Sequence, residues 1–142
     1  MQIDDKLDTY SPIYLVVRRP EQNKMKFYRF DPETGRQIEL YEGRNVRLTR
    51  IVRLTNVAMI SCIYIGARGA IGHHPAASQQ LFLIVEGEGW VRGETSEEIS
   101  LSAGQAVLWG KGEWHSSGSV NGMTAIVIEA DDLEPERFMS SV

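Results

Sequence analysis

The sequence predicts an all-β fold, and three observations carry that prediction. Short runs of β-branched and aromatic residues recur along the chain. Turn-forming residues separate these runs about every 8–12 residues, which is the spacing found in β-sandwiches and barrels. No long segment shows the period of an amphipathic helix. At 142 residues, the chain is most simply one domain.

An N-terminal extension of the same domain is predicted over residues 1–54. Its strands are Ile13–Arg18, Met25–Phe30, Gln37–Tyr41 and Val46–Leu54. Residues 1–53 carry 11 Lys and Arg against 8 Asp and Glu, a balance of +3, whereas residues 54–142 carry 4 against 11, a balance of −7. This chemically distinct extension either lengthens one sheet or crosses to a second subunit.

Residues 55–130 are predicted to form the barrel core. Its strands are Met59–Ile65, Leu81–Val85, Trp90–Arg92, Glu97–Leu101, Ala106–Trp109 and Met123–Ile128, with a tight turn at 87–89. The first two strands are apolar on both faces, as expected in a packed sandwich or at a subunit interface, which favours a homodimer. Residues 131–142 are predicted to be a tail or a short helix over Asp132–Met139, with Asp131 or Asp132 as N-cap.

Composition narrows the functional classes. The net charge of −4 gives no reason to expect nucleic acid or an anionic membrane as partner. The acidic, polar start lacks the pattern of a secretory signal, and no run approaches the ~20 apolar residues of a membrane span, so a cytoplasmic protein is expected. The single cysteine, Cys62, lies in an apolar run and is predicted to be a small buried hydrophobe.

Two segments of the chain, residues 73–87 and residues 104–119, carry a motif. The later one has fixed offsets between Gly104, Gly110, Gly112, His115 and Ser119. This spacing resembles the second motif of the cupin superfamily, G-x5-P-x-G-x2-H-x3-N, with glycine in place of the proline and serine in place of the asparagine.

The first cupin motif, G-x5-H-x-H-x3,4-E-x6-G, matches less completely. Gly87 takes its last position, and Gln80 then stands where the family has glutamate. The histidine positions fall on His74 and Ala76 or, with the longer spacer, on His73 and Pro75. Either way the second histidine is missing. Adjacent His73 and His74 point to opposite faces if the chain is extended.

The resemblance implies a cupin-like double-stranded β-helix barrel of jelly-roll type. It also implies a divalent transition metal, Zn, Fe, Ni or Mn, held by His74, His115 and Gln80, with His73 as the alternative to His74. Neutral Gln80 compensates no cationic charge, so the site is expected to be degenerate or weak. We expect a small-molecule-binding protein with no assigned reaction. The alternative is a metal-dependent enzyme, a dioxygenase, isomerase or decarboxylase, with a small polar or carboxylated substrate.

Two further residues join the predicted ligand site. Trp109 ends a buried strand and either forms an aromatic wall of the pocket or packs in the core. Arg50 shares a strand face with Val46, Leu48 and Val52. It is either an edge-strand charge or an inward-pointing partner for a carboxylate ligand.

Overall fold

A computed structural model describes residues 25–39, 42, 44–54 and 58–142. These residues form strands and two 3-10 turns but no α-helix, which confirms the all-β prediction. The strands are β1 (Lys26–Arg29), β2 (Arg36–Ile38), β3 (Val46–Leu48), β4 (Met59–Ile65), β5 (Gly69–Pro75), β6 (Gln80–Arg92), β7 (Ile99–Ser102), β8 (Gln105–Trp109), β9 (Trp114–Ser119), β10 (Met123–Glu129) and β11 (Ser140–Ser141). The 3-10 turns are Pro32–Thr34 and Pro135–Arg137. The predicted strand Ile13–Arg18 lies outside the described residues.

Two antiparallel sheets share the long strand β6. Its first half pairs with β8 and β10 in a large sheet of order β11-β1-β8-β6-β10-β4. Its second half pairs with β7 and β9, and β9 pairs in turn with β5 to complete the smaller sheet. The hairpin of β2 and β3 forms a separate two-stranded sheet.

The predicted tight turn at 87–89 was wrong, because β6 runs through it. The register against β10 shifts between Thr124 and Ala125, and Gly87 has a φ of 80°. A Cβ on Gly87 would overlap the carbonyl oxygen of Gly122. The register skips Val85, which forms a bulge, and Gly87, two residues later, allows β6 to pass close to Gly122 as it leaves the large sheet for the small one.

Apolar residues bury both faces of the large sheet. An inner cluster fills the space between the sheets, and an outer cluster packs beneath residues 130–139. Phe82 and Ile84 belong to the inner cluster, and Leu81 and Leu83 to the outer one. The two-sided burial predicted for this strand is therefore confirmed up to residue 84, and the chain itself supplies the cover.

Strand β4 differs from this expectation. Ile63 packs against the inner cluster, whereas Ile60 and Tyr64 are 60% and 77% exposed. Cys62 shares their outward face and is exposed, so its predicted burial was wrong. Successive side chains of a strand point to opposite faces, and only one face of β4 meets the barrel interior. The apolar residues on its other face are therefore exposed.

Of the two alternatives for residues 131–142, a tail or a short helix, the helix over Asp132–Met139 does not form. Asp132 and Glu134 have left-handed φ angles of 53° and 45°, and Pro135 has no N–H to donate. Only a single 3-10 turn forms, and it buries Leu133 and Met139 in the outer cluster. In the described part of the chain, no helix has the length and apolar character needed to span a membrane.

Candidate functional site

A cavity of about 200 Å³ lies between the two sheets. Side chains from both sheets line it, and six of the ten are polar. The lining residues are Ser61, Ile63, Ile71, His74, Gln80, Phe82, His115, Ser117, Val127 and Glu129. Of the predicted ligand residues, the fold therefore gathers His74, Gln80 and His115 in one place.

Strands β5 and β9, which the sequence did not predict, bring the two histidines together. His74 and His115 are direct partners in the antiparallel register, and their ring centroids lie 4.4 Å apart at 54°. The next pair, Pro75 with Trp114, closes the end of the ladder. The register also decides between the adjacent histidines, since exposed His73 lies outside the cavity, with its ring 5.4 Å from that of Trp114.

The ring of His115 is buried and neutral. Its Nδ1 lies 3.1 Å from the carbonyl oxygen of Glu113, which can only accept, so Nδ1 carries the proton. Burial above all, with a smaller contribution from the nearby imidazoles of His74 and His73, lowers the pKa of His115 to about 4, against the opposing effect of the Glu113 hydrogen bond. The unprotonated Nε2 is buried and has no hydrogen-bond partner in the described structure.

His74 is held in the same way. Its Nδ1 lies 2.6 Å from the carbonyl oxygen of Gly72 and therefore carries a proton. Both rings thus use Nδ1 to fix their orientation on the backbone and leave Nε2 for another partner. Metal-binding histidines are commonly oriented by such a hydrogen bond.

Trp109 supports His115 from the core. It is fully buried, its ring stacks on His115 at 4.3 Å between centroids, and its edge packs on Phe82 at 5.8 Å. It does not line the cavity. Trp109 therefore packs in the core and does not form a wall of the pocket, and the ring of His115 lies against it.

Gln80 begins β6 and pairs with Trp109 on one side and Glu129 on the other. Glu129, Ser117 and Ser61 also line the cavity, and the sequence analysis missed all three. Strand parity was the signal that could have found them. Glu129 follows buried Val127 at an interval of two, and Ser117 follows His115 likewise.

Solved structures with the same architecture identify the fold. One is a cupin superfamily protein from Desulfitobacterium hafniense, 18% identical, with a TM-score of 0.50 over 68% of this chain and 92% of that one. Another is an RmlC-like cupin with a double-stranded β-helix from Methanocaldococcus jannaschii, 18% identical, with a TM-score of 0.50 over 67% and 89%. The fold is that of the cupins. No family model and no curated protein matches the sequence.

The barrel cavity does not include Arg50. This residue is exposed after the end of β3 and lines a separate surface groove. The predicted strand Val46–Leu54 ends at Leu48, so the alternation that would have turned Arg50 inward does not reach it. A carboxylate inside the barrel therefore has no arginine partner among the lining residues.

The metal ligands of the cupin motif are only partly present. Among the described residues, no group of three or more His, Cys, Asp or Glu side chains could hold a metal ion. Two imidazoles and the neutral amide of Gln80 remain. Imidazole suits Zn, Fe and Ni, so the donor types fit a transition metal, but none of the three brings a negative charge.

Proposed function

We propose that this cupin binds a small polar molecule in its cavity, with His115 and His74 as anchors. The observation that carries the proposal is the buried, unpaired Nε2 of His115. A buried acceptor without a partner costs about 1–3 kcal/mol, which a ligand that donates a hydrogen bond recovers. The ring beside it, His74, also has its Nε2 available.

The cavity defines a class of ligand. Its volume of about 200 Å³ is below the roughly 300–1,000 Å³ of pockets for drug-sized molecules, so the ligand is small. Nε2 of His115, Nε2 of His74 and the carboxylate of Glu129 can each accept a hydrogen bond in the cavity. We therefore expect a ligand that brings donors, such as an amine, an amidine or a polyol, in preference to a carboxylate.

Calorimetry with the untagged protein tests this preference. Small amines, amidines, polyols and carboxylates are titrated into wild type, Glu129→Gln and Glu97→Gln. Glu97 is an exposed glutamate outside the cavity, so its variant controls for the loss of one charge. We expect saturable binding of a donor-rich compound that weakens in Glu129→Gln alone. Binding of carboxylates only, or equal weakening in both variants, would refute the proposal.

A weak metal site is part of the same proposal, with His74, His115 and Gln80 as its ligands. Three neutral donors leave the charge of a divalent ion uncompensated, so we expect less than one metal ion per chain. Metal analysis of untagged protein purified without added metal measures this directly. His73→Ala is the matched control for His74→Ala, because His73 is adjacent but outside the cavity.

A metal-dependent enzyme is the second candidate, favoured by the carboxylate of Glu129 in the same cavity as two imidazoles. A bound transition-metal ion would supply Lewis-acid activation of a substrate. Glu129 would then accept a proton from that substrate, and Nε2 of His115 would carry no proton. One metal ion per chain, lost in His74→Ala and Gln80→Ala but kept in His73→Ala, would replace the first candidate with this one.

A further inference from the structure

A second concave site lies on the surface, away from the barrel cavity. It is a groove of about 240 Å³ between the 3-10 turn that precedes β2, the segment after β3 and the C-terminal 3-10 turn. We call it the arginine groove. Its lining residues are Thr34, Arg36, Thr49, Arg50, Arg137 and Phe138. Three of these six side chains are guanidinium groups, and none is a carboxylate.

A fourth arginine builds the groove without lining it. Arg47 on β3 donates from Nε to the carbonyl oxygen of Pro32 and from Nη2 to that of Gly35, both at 2.6 Å. These bonds fasten the first 3-10 turn to the hairpin. Thr34 and Arg36, on one side of the groove, are thereby held against Thr49 and Arg50 on the other.

Nearby carboxylates do little to neutralise the groove. Asp31 and Glu33 are both engaged by Arg29, at 2.9 and 3.5 Å. Glu134 lies 3.5 Å from Arg137 in an exposed ion pair and offsets one of the three charges. Arg36 and Arg50 form no ion pair within the described part of the chain. Among the described residues, three guanidinium groups therefore line one groove, and the ion pairs offset the charge of one of them, Arg137.

We propose that the arginine groove binds the phosphate group of a small phosphorylated molecule. A guanidinium fork matches the geometry of phosphate oxygens and donates two hydrogen bonds at once. The Thr49 hydroxyl adds a donor, and a multiply charged anion relieves the repulsion among the arginines. The net charge of −4 opposes a long polyanion, so a compact phosphate compound fits better than nucleic acid.

Calorimetry of the untagged full chain at low ionic strength tests this site. The probes are inorganic phosphate, pyrophosphate, phenyl phosphate and, as a non-phosphate dianion, sulfate. Arg36→Ala and Arg50→Ala remove groove charges, and Arg53→Ala removes one charge from an exposed arginine outside the groove. Thermal unfolding of each variant reports whether the fold is retained.

We expect saturable binding of a phosphate compound, tighter than sulfate, with Kd rising about tenfold in Arg36→Ala and in Arg50→Ala and unchanged in Arg53→Ala. Glu129→Gln, which alters the barrel cavity, should leave it unchanged. Equal weakening in Arg53→Ala, or no saturable binding by wild type, would overturn the proposal. A short single-stranded oligonucleotide that binds more tightly than pyrophosphate would overturn the assignment to a small molecule.

Discussion

Acidification should destabilise this protein through His115. The buried ring is neutral in the folded chain, with a pKa of about 4, whereas an exposed histidine has a pKa of about 6.5. Between these two values the unfolded chain binds a proton that the folded chain does not, so a fall in pH favours unfolding. The stabilising contribution is complete above about pH 6.5 and is lost as the pH approaches 4.

The size of the effect follows from the two pKa values. One pKa unit corresponds to about 1.4 kcal/mol, so the full shift contributes about 3 kcal/mol to the free energy of unfolding. A chain of this length has an unfolding entropy of about 0.3 kcal/mol/K near its midpoint, and the same loss lowers Tm by about 10 °C. Carboxylates also titrate in this range, so a matched variant is needed.

Urea unfolding between about pH 4 and pH 7.5, with chelator present, provides the assay. His115→Gln keeps a polar side chain but cannot titrate, and His73→Gln removes an exposed histidine. Wild type and His73→Gln should lose about 3 kcal/mol more than His115→Gln across this range. If the free energy of unfolding changed with pH in the same way in wild type and in His115→Gln, the His115 ring would not be buried from water. The argument for a buried, unpaired acceptor in the cavity would then fail.

Three further predictions test the fold. Gly89→Ala should destabilise by about 1–3 kcal/mol in urea unfolding, because its Cβ would overlap the carbonyl oxygen of Gly118, whereas Gly72→Ala, with open space around it, serves as the control that should not. Phe82→Ala should cost about 3–5 kcal/mol in the same measurement, since the ring is fully buried, and a smaller loss would contradict its place in the inner core. Cys62 should react with a maleimide in native protein as fast as in urea, and protection would restore the buried position predicted from the sequence.

The fold and the position of His115 could be predicted because they depend on residues that are close in sequence. Gly104 and Gly112 have φ angles of 92° and 81°, which favour glycine, and they flank β8 ahead of β9, the strand that carries His115. These turns depend on residues that are close in sequence, so the spacing of the glycines and His115 can be recognised without a structure. The cupin fold and the place of His115 in the barrel follow from it.

The other features of the site depend on pairing between segments that are distant in sequence. His74 meets His115 only because of the register of β5 on β9, and nothing local specifies that register. The alternation of Val46–Leu54 allows Arg50 either an edge position or an inward one, and the strand ends at Leu48 before it reaches this residue. Glu129 has the strand parity of buried Val127, but its place beside Gln80 follows only from the pairing of β10 with β6.

Strand β6 belongs to both sheets, and this should make the site resistant to local unfolding. Because this strand pairs with β8 and β10 in one sheet and with β7 and β9 in the other, neither sheet can open by itself without disrupting it. Its central amide protons should therefore exchange with solvent only through global unfolding. Gln80 and Phe82, at the start of this strand, thus anchor the cavity floor to the longest-lived part of the molecule.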